Sequence, residues 1–318
     1  MSDGTRDALR RWARRGLPWL AAVALFAWLL ARVPVGAVRA ALHHGSYLPL
    51  AAWMFFSAVA ILPLDAFAIG EALALTGIHR AFKELLLVRG ASYLLGLVSY
   101  LAGQGGVGVW LARRGVRASR ATGAMLLLMS TIGIALASVA SLGLLADLPA
   151  DRRRVLVLLT AGVFAGIAVY LALIGLRVRW LAERSVLAPV FEAGVGGHLR
   201  AAAARLPHVL VMAALQWAAA RIWGLAIPFW NGLALNSLVL LVGALPITPS
   251  GLGTTQVLQV VLFAPWSPAA TPDARAADVL AFSVVSYTFG LLSQALVGVA
   301  CLAVLRRSEG GAAAEDAV

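Results

Sequence analysis

Eight stretches of this chain are apolar for about the length of a bilayer crossing or more. They are Leu17–Val33, Tyr47–Thr76, Ala91–Leu111, Ala121–Leu145, Val155–Leu176, Val209–Pro228, Leu233–Phe263 and Val279–Leu305. A helix needs about 20 such residues to cross a hydrocarbon core of about 30 Å. Backbone in lipid must also satisfy its own hydrogen bonds, which leaves helices and closed barrels. The expected fold class is an all-α polytopic membrane protein. Composition agrees: 61% of the 318 residues are hydrophobic and 13% charged, where soluble domains carry roughly 25% charged residues.

Two of the eight are interrupted. Ala91–Leu111 contains Gly103-Gln104-Gly105-Gly106-Val107-Gly108, and Leu233–Phe263 contains Pro246-Ile247-Thr248-Pro249-Ser250-Gly251-Leu252-Gly253. Pro lacks the N–H that a helix interior needs, and Gly destabilises a helix interior. Irregular backbone at membrane depth survives only where protein buries it or a wet cavity adjoins it.

The basic residues say whether these segments cross or turn back. If all eight cross, the two sides carry 13 and 12 Lys/Arg. If the two broken segments are re-entrant hairpins, 19 fall on the cytoplasmic side and six outside, with Arg221 inside a span. The positive-inside rule selects the second arrangement. The reading is then about six full spans plus two re-entrant hairpins in the cytoplasmic (inner) membrane, with both termini cytoplasmic. Gly106-Val107-Gly108 and Gly251-Leu252-Gly253 lie 145 residues apart. Each half then reads span, span, hairpin, span, an odd number of crossings and so an inverted repeat. The expected division is a basic N-terminus (1–16), a first membrane repeat (17–150), a second (151–305) and a cytoplasmic tail (306–318). Arg177–Arg205 joins the halves as an interfacial segment with an apolar face of Leu187, Val190, Phe191 and Val195.

At the N-terminus, Arg10, Arg11, Arg14 and Arg15 precede Leu17–Ala31, and Val38-Arg39-Ala40 resembles a cleavage site. That is signal-peptide grammar. Arg32 and Pro34 intervene, so an uncleaved first span is expected.

Soluble chemistry has little support. The net charge of +12 comes from 25 arginines and one lysine set mainly between apolar stretches, a pattern of orientation, and no nucleic-acid partner is expected. The single cysteine, Cys301, forms no intramolecular disulfide. His43, His44, His79, His198 and His208 show no metal-ligand spacing. Neither a metal nor another cofactor is expected, and no catalytic constellation stands out. Gly103-x-Gly105-x-x-Gly108 matches the dinucleotide fingerprint formally, but it follows a membrane segment and has no acid about 20 residues on.

The glycines can instead allow close helix approach or present free N–H groups to an anion. Both uses stay open. Asp65, Glu71 and Arg221 are ionisable residues within apolar segments, where charges usually face a partner or a cavity. Arg221, between Trp217 and Trp223, can also snorkel. Gly162-x-x-x-Gly166 reads as close helix packing, and tryptophans near segment ends, such as Trp19, Trp180, Trp230 and Trp266, as interface anchors.

Leu245-Pro246-Ile247-Thr248-Pro249-Ser250-Gly251-Leu252-Gly253-Thr254-Thr255-Gln256 resembles the Pro-x-x-Pro-Gly-Gly-Leu-Gly-x-x-Glu signature of the lysylphosphatidylglycerol synthase transmembrane-region family, a flippase-like membrane family. Gly106–Arg120 looks like that family's N-terminal motif. Ser250 replaces the first glycine of the pair and Gln256 the acid, and the family's soluble transferase domain is absent. The resemblance implies a module that moves a polar or anionic-headed lipid (phospholipid, hopanoid or polyprenyl-linked) across the membrane. Membrane lipids are the partners it implies, together with a separately encoded lipid-modifying enzyme.

The expected substrate contacts are hairpin tips of Gly105, Gly106, Gly108, Pro246, Pro249, Ser250, Gly251 and Gly253, with Thr254 at the following helix start. Arg221 holds a headgroup phosphate, and Asp65 and Gln256 line the polar path. Two rival readings are a membrane-embedded lipid-modifying transferase or its accessory subunit, and a secondary transporter of a small solute.

Overall fold

The computed structural model describes residues 27–28, 33–145, 150–244, 248 and 251–315, and helices carry most of them. In chain order they are α1 (Val35–His43), α2 (Tyr47–Ala74), α3 (Phe82–Gly96), α4 (Tyr100–Arg113), α5 (Ala118–Ser141), α6 (Ala150–Gly175), α7 (Arg179–Ala182), α8 (Ala188–Trp223), α9 (Phe229–Ala244), α10 (Thr254–Phe263) and α11 (Pro272–Glu315). No strand occurs among the described residues.

Four helical stretches are long and apolar enough to cross a membrane: Tyr47–Ala74, Ala118–Leu145, Leu156–Gly175 and Pro272–Ser308. The protein is an all-α membrane protein. These four coincide with the expected spans beginning at Tyr47, Ala121, Val155 and Val279. The expected first span, Leu17–Val33, lies almost wholly outside the described residues, as do Trp19 and the basic N-terminus. Trp180 and Trp230 are exposed, where interface anchors would sit.

The two interrupted segments are pairs of short helices. At about 1.5 Å per residue, α3 (15 residues) and α4 (14 residues) each reach roughly 20 Å, short of a crossing. At about 24 and 15 Å, α9 (16 residues) and α10 (10 residues) also fall short of one. Within each pair the two helices pack on one another.

The first break is not where the glycines are. It falls at Leu97–Ser99, and Gly103–Gly108 lies inside α4. Here glycine serves close approach, because a Cβ on Gly103 would sit 2.8 Å from the Gly96 Cα of α3. Likewise a Cβ on Gly106 would meet the Ser92 side chain at 2.8 Å, and one on Gly108 would meet Met125 of α5 at 2.9 Å. The second break does use glycine as a turn: Gly251 (φ +74°) and Gly253 (φ +86°) take left-handed backbone just before α10. L side chains rarely adopt that conformation.

α2 and α8 pack against each other in the middle of the molecule. α5 lies on α8 and α11 on α2; α3 packs between α2 and α11, α9 between α8 and α5, α4 on α5 and α10 on α11. α8 is interrupted by non-helical backbone at Gly194 (φ 61°) and carries Pro207 in its interior. The segment read as interfacial, Arg177–Arg205, is therefore largely α7 and the first part of α8. Its Val190 and Phe191 are buried against Leu127 and Ile174, within the protein.

Two further expectations are corrected by packing. Gly162 and Gly166 have no atom within 4 Å of where a Cβ would stand, so they mediate no close contact among the described residues. Glu71 is no buried charge. It faces Arg200 at 3.7 Å in a solvent-accessible pair, a class worth about 0–1 kcal/mol.

Candidate functional site

One cavity of about 310 Å³ lies where α2, α3, α4, α5, α8, α9, α10 and α11 converge. Sites for small ligands and cofactors run from about 300 to 1,000 Å³. Both short-helix pairs reach it: α3 and α4 through Gly96, Gly103 and Gln104, α9 and α10 through Gly243, Ala244, Thr255, Gln256 and Gln259.

The cavity's charged end is built on Asp65, which α2 carries two residues after Pro63 and buries to 3% exposure. The Arg89 Nε of α3 donates to one carboxylate oxygen at 2.6 Å. Arg205 of α8 donates through Nη1 to the other. Both arginines are buried, at 8% and 2% exposure. Arg89 also donates through Nη1 to Ser92 Oγ and to the Gly103 carbonyl, each at 3.2 Å, and its guanidinium lies 5.4 Å from the Tyr93 ring centre. A single side chain thus ties α2, α3 and α4 together. One carboxylate faces two guanidiniums, so the cluster carries one net positive charge. Removing one partner of such a pair costs about 3–5 kcal/mol, because it strands a charge in low dielectric.

His208 lies three residues beyond Arg205 on the same face of α8 and lines the cavity at 4% exposure. Its Nδ1 has no hydrogen-bond partner among the described residues, and neither do Ser283 Oγ or Arg205 Nε. Buried polar groups are rarely left so. The rest of the polar lining is neutral: Gln216 from α8, Gln259 from α10, Ser286, Tyr287 and Gln294 from α11. No group of three His, Cys, Asp or Glu side chains gathers for a metal among the described residues.

The second break supports its own helix start. Gln256 Oε1 accepts from the Gly253 N–H at 2.6 Å, half of a capping box. Thr254 and Thr255 hydroxyls both donate to the Gly251 carbonyl at 2.9 Å. Gln256 is 1% exposed and lines the cavity.

Of the residues expected at the site, Asp65 and Gln256 line it. Gly251 stands directly behind, against the lining Gly243, and Gly253 and Thr254 shape the turn. Pro246, Pro249 and Ser250 lie outside the described residues. Gly106 and Gly108 pack on helices, and Gly105 has open space around it; none of the three forms a tip. Arg221 is exposed in the last turn of α8, its nearest acceptor the Leu225 carbonyl at 3.4 Å. It neither lines the cavity nor pairs with Asp65.

Sequence reading missed Arg89, Arg205 and His208, and assigned both arginines to cytoplasmic loops. The available signal was a lone Arg inside Leu85–Tyr93 and another between Ala201 and Val209. Without those two the Lys/Arg split is 17 to six, so the orientation argument keeps its sign.

Comparison with models of protein families finds no match, and neither does comparison with curated proteins.

Proposed function

We propose that this protein moves a lipid with a polar or anionic headgroup across the cytoplasmic membrane, the headgroup passing through the cavity while the acyl chains stay in the bilayer. The observation that carries this reading is the meeting of both broken helix pairs at one polar cavity that holds a buried ion cluster. Intramembrane charges are costly and usually mark a substrate path, and paired discontinuous helices commonly form transporter sites.

The architecture we propose is the inverted repeat of six spans and two hairpins, with both termini cytoplasmic. Packing supports it. When α2 is exchanged with α8, α3 with α9, α4 with α10 and α5 with α11, every packed pair among these eight helices has its counterpart. The shortness of α3, α4, α9 and α10 supports re-entrant pairs over crossings. The likeness of the second break to the flippase-like family's signature points to the same class of activity. Membrane lipids are the proposed partners, with a separately encoded lipid-modifying enzyme as the source of cargo.

Reconstitution into liposomes with leaflet-resolved fluorescent lipids tests the proposal. Protein-containing vesicles should exchange polar-headed lipid between leaflets faster than empty ones, and Gln256→Leu should slow the exchange. Folded protein that leaves exchange at the empty-vesicle rate for every headgroup class would refute it.

A further inference from the structure

We infer that the cavity selects a headgroup that combines one phosphate-ester anion with a neutral polyol. This rests on the proposed lipid reading for the chains attached to the headgroup, and on the lining alone for the headgroup's chemistry.

The lining has two chemically different parts. At one end the lining carries Asp65 and Arg89, and Arg205, buried beside Asp65 and not itself part of the lining, holds the other carboxylate oxygen, so the fixed charge of the cluster is +1. The other lining side chains are uncharged apart from the titratable His208. A quaternary or primary ammonium headgroup would find no carboxylate except Asp65, which two guanidiniums already hold. Tyr93 already faces the Arg89 guanidinium, which leaves Tyr287 as the other aromatic side chain of the lining, and a single ring makes no cage for such a cation. A phosphate ester meets the opposite situation, with a surplus positive charge and a planar guanidinium suited to its oxygens.

Phosphate alone leaves most of the polar wall unexplained. Gln104, Gln216, Gln259 and Gln294 all line the cavity, and their side-chain amides hydrogen-bond to no other described residue. Each primary amide offers two donors and an acceptor. Ser283 Oγ, on a side chain 2% exposed, and His208 Nδ1 are buried without a partner. A ligand group that both donates and accepts, many times over and without charge, matches this wall. Vicinal hydroxyls do so; a hydrocarbon, a bare phosphate or an ammonium does not. Glycerol, inositol or a hexose beside the phosphate carries that chemistry.

The test is binding to the purified chain in detergent, read by thermal unfolding against lipid concentration. The probes are dihexanoyl phosphatidylglycerol, phosphatidylinositol, phosphatidic acid and phosphatidylcholine, a farnesyl-phosphate hexose, and free glycerol 3-phosphate. Polyol phospholipids or the farnesyl sugar should bind at least about tenfold more tightly than phosphatidic acid or phosphatidylcholine, the effect of one or two net hydrogen bonds. The ratio of the first two classes tells a glycerolipid from a polyprenyl source, and the free phosphate tells lipid from soluble ligand. Gln216→Leu with Gln259→Leu leaves the ion cluster intact and should lower polyol-lipid binding about tenfold while phosphatidic acid is unchanged. The inference is overturned if no probe binds, if phosphatidylcholine or phosphatidic acid binds as well as the polyol lipids, or if the glutamine variant weakens all probes alike. Expected binding without leaflet exchange in vesicles would refute translocation and keep the inference. Exchange of every headgroup at one rate, with no binding preference, would do the reverse.

Discussion

Asp65 accepts a hydrogen bond from Arg205, 140 residues further along the chain and on a different central helix. With Arg89 on the other carboxylate oxygen, this pair is a buried ionic tie between α2 and α8. Asp65→Asn should lower stability by about 3–5 kcal/mol, since two buried guanidiniums lose their counter-charge. Arg205→Gln added to Asp65→Asn should recover much of that loss. Thermal unfolding of the two single variants and the double, as a mutant cycle, measures the coupling.

The close approach of Gly96 and Gly103 makes α4 intolerant at one glycine and tolerant at another. Gly103→Leu should destabilise the protein strongly, because its first carbon would lie 2.8 Å from backbone that cannot step aside. Gly105→Ala, with open space around it, should be neutral or stabilising by up to about 1 kcal/mol from helix propensity. Melting temperatures in detergent check both.

Gln256→Glu should fold normally and transport differently. A carboxylate can accept from the Gly253 N–H as the amide oxygen does, and a negative charge at a helix start is favoured. It would cancel the cavity's surplus positive charge. Exchange of anionic lipid should fall about tenfold or more relative to neutral lipid, measured in the same vesicles.

Arg221→Gln should change little, less than about 0.5 kcal/mol in stability and nothing in transport, because the side chain is exposed and outside the cavity. Parallel stability and exchange assays decide it.

Orientation can be read with single cysteines in a Cys301→Ala background. Asp273→Cys should react with an impermeant maleimide in intact cells, and Ala118→Cys only after lysis. Both positions are exposed.

Helix class, four spans and the second break were legible because each has a one-dimensional signature: apolar length, or Gly and Pro together. The first break was misplaced because a glycine run has two physical uses. In Gly103–Gly108 it thins a helix so that another can touch it; at Gly251–Gly253 it bends the chain. Pattern alone does not separate them. Arg89 and Arg205 were missed for a different reason. They lie just before the starts of Ala91–Leu111 and Val209–Pro228 as the apolar runs are bounded, so a charge buried within a helix was counted as lying outside one. Arg221 stood out only because it fell in a window with no other charge. Burial depends on what a helix packs against, and that is a property of distant segments.

The order in which the ion cluster's members are synthesised has a consequence for membrane insertion. Asp65 leaves the ribosome 24 residues before Arg89, and alone at the centre of a helix it would cost about 2.5–3.5 kcal/mol to insert. With Arg89 it forms a neutral pair contained in the first half of the chain. Arg205 arrives only with the second half, bringing the unmatched charge. This cluster's share of the first half therefore enters the bilayer as a balanced pair, and the positive charge that would hold a ligand comes into being when α8 docks on α2.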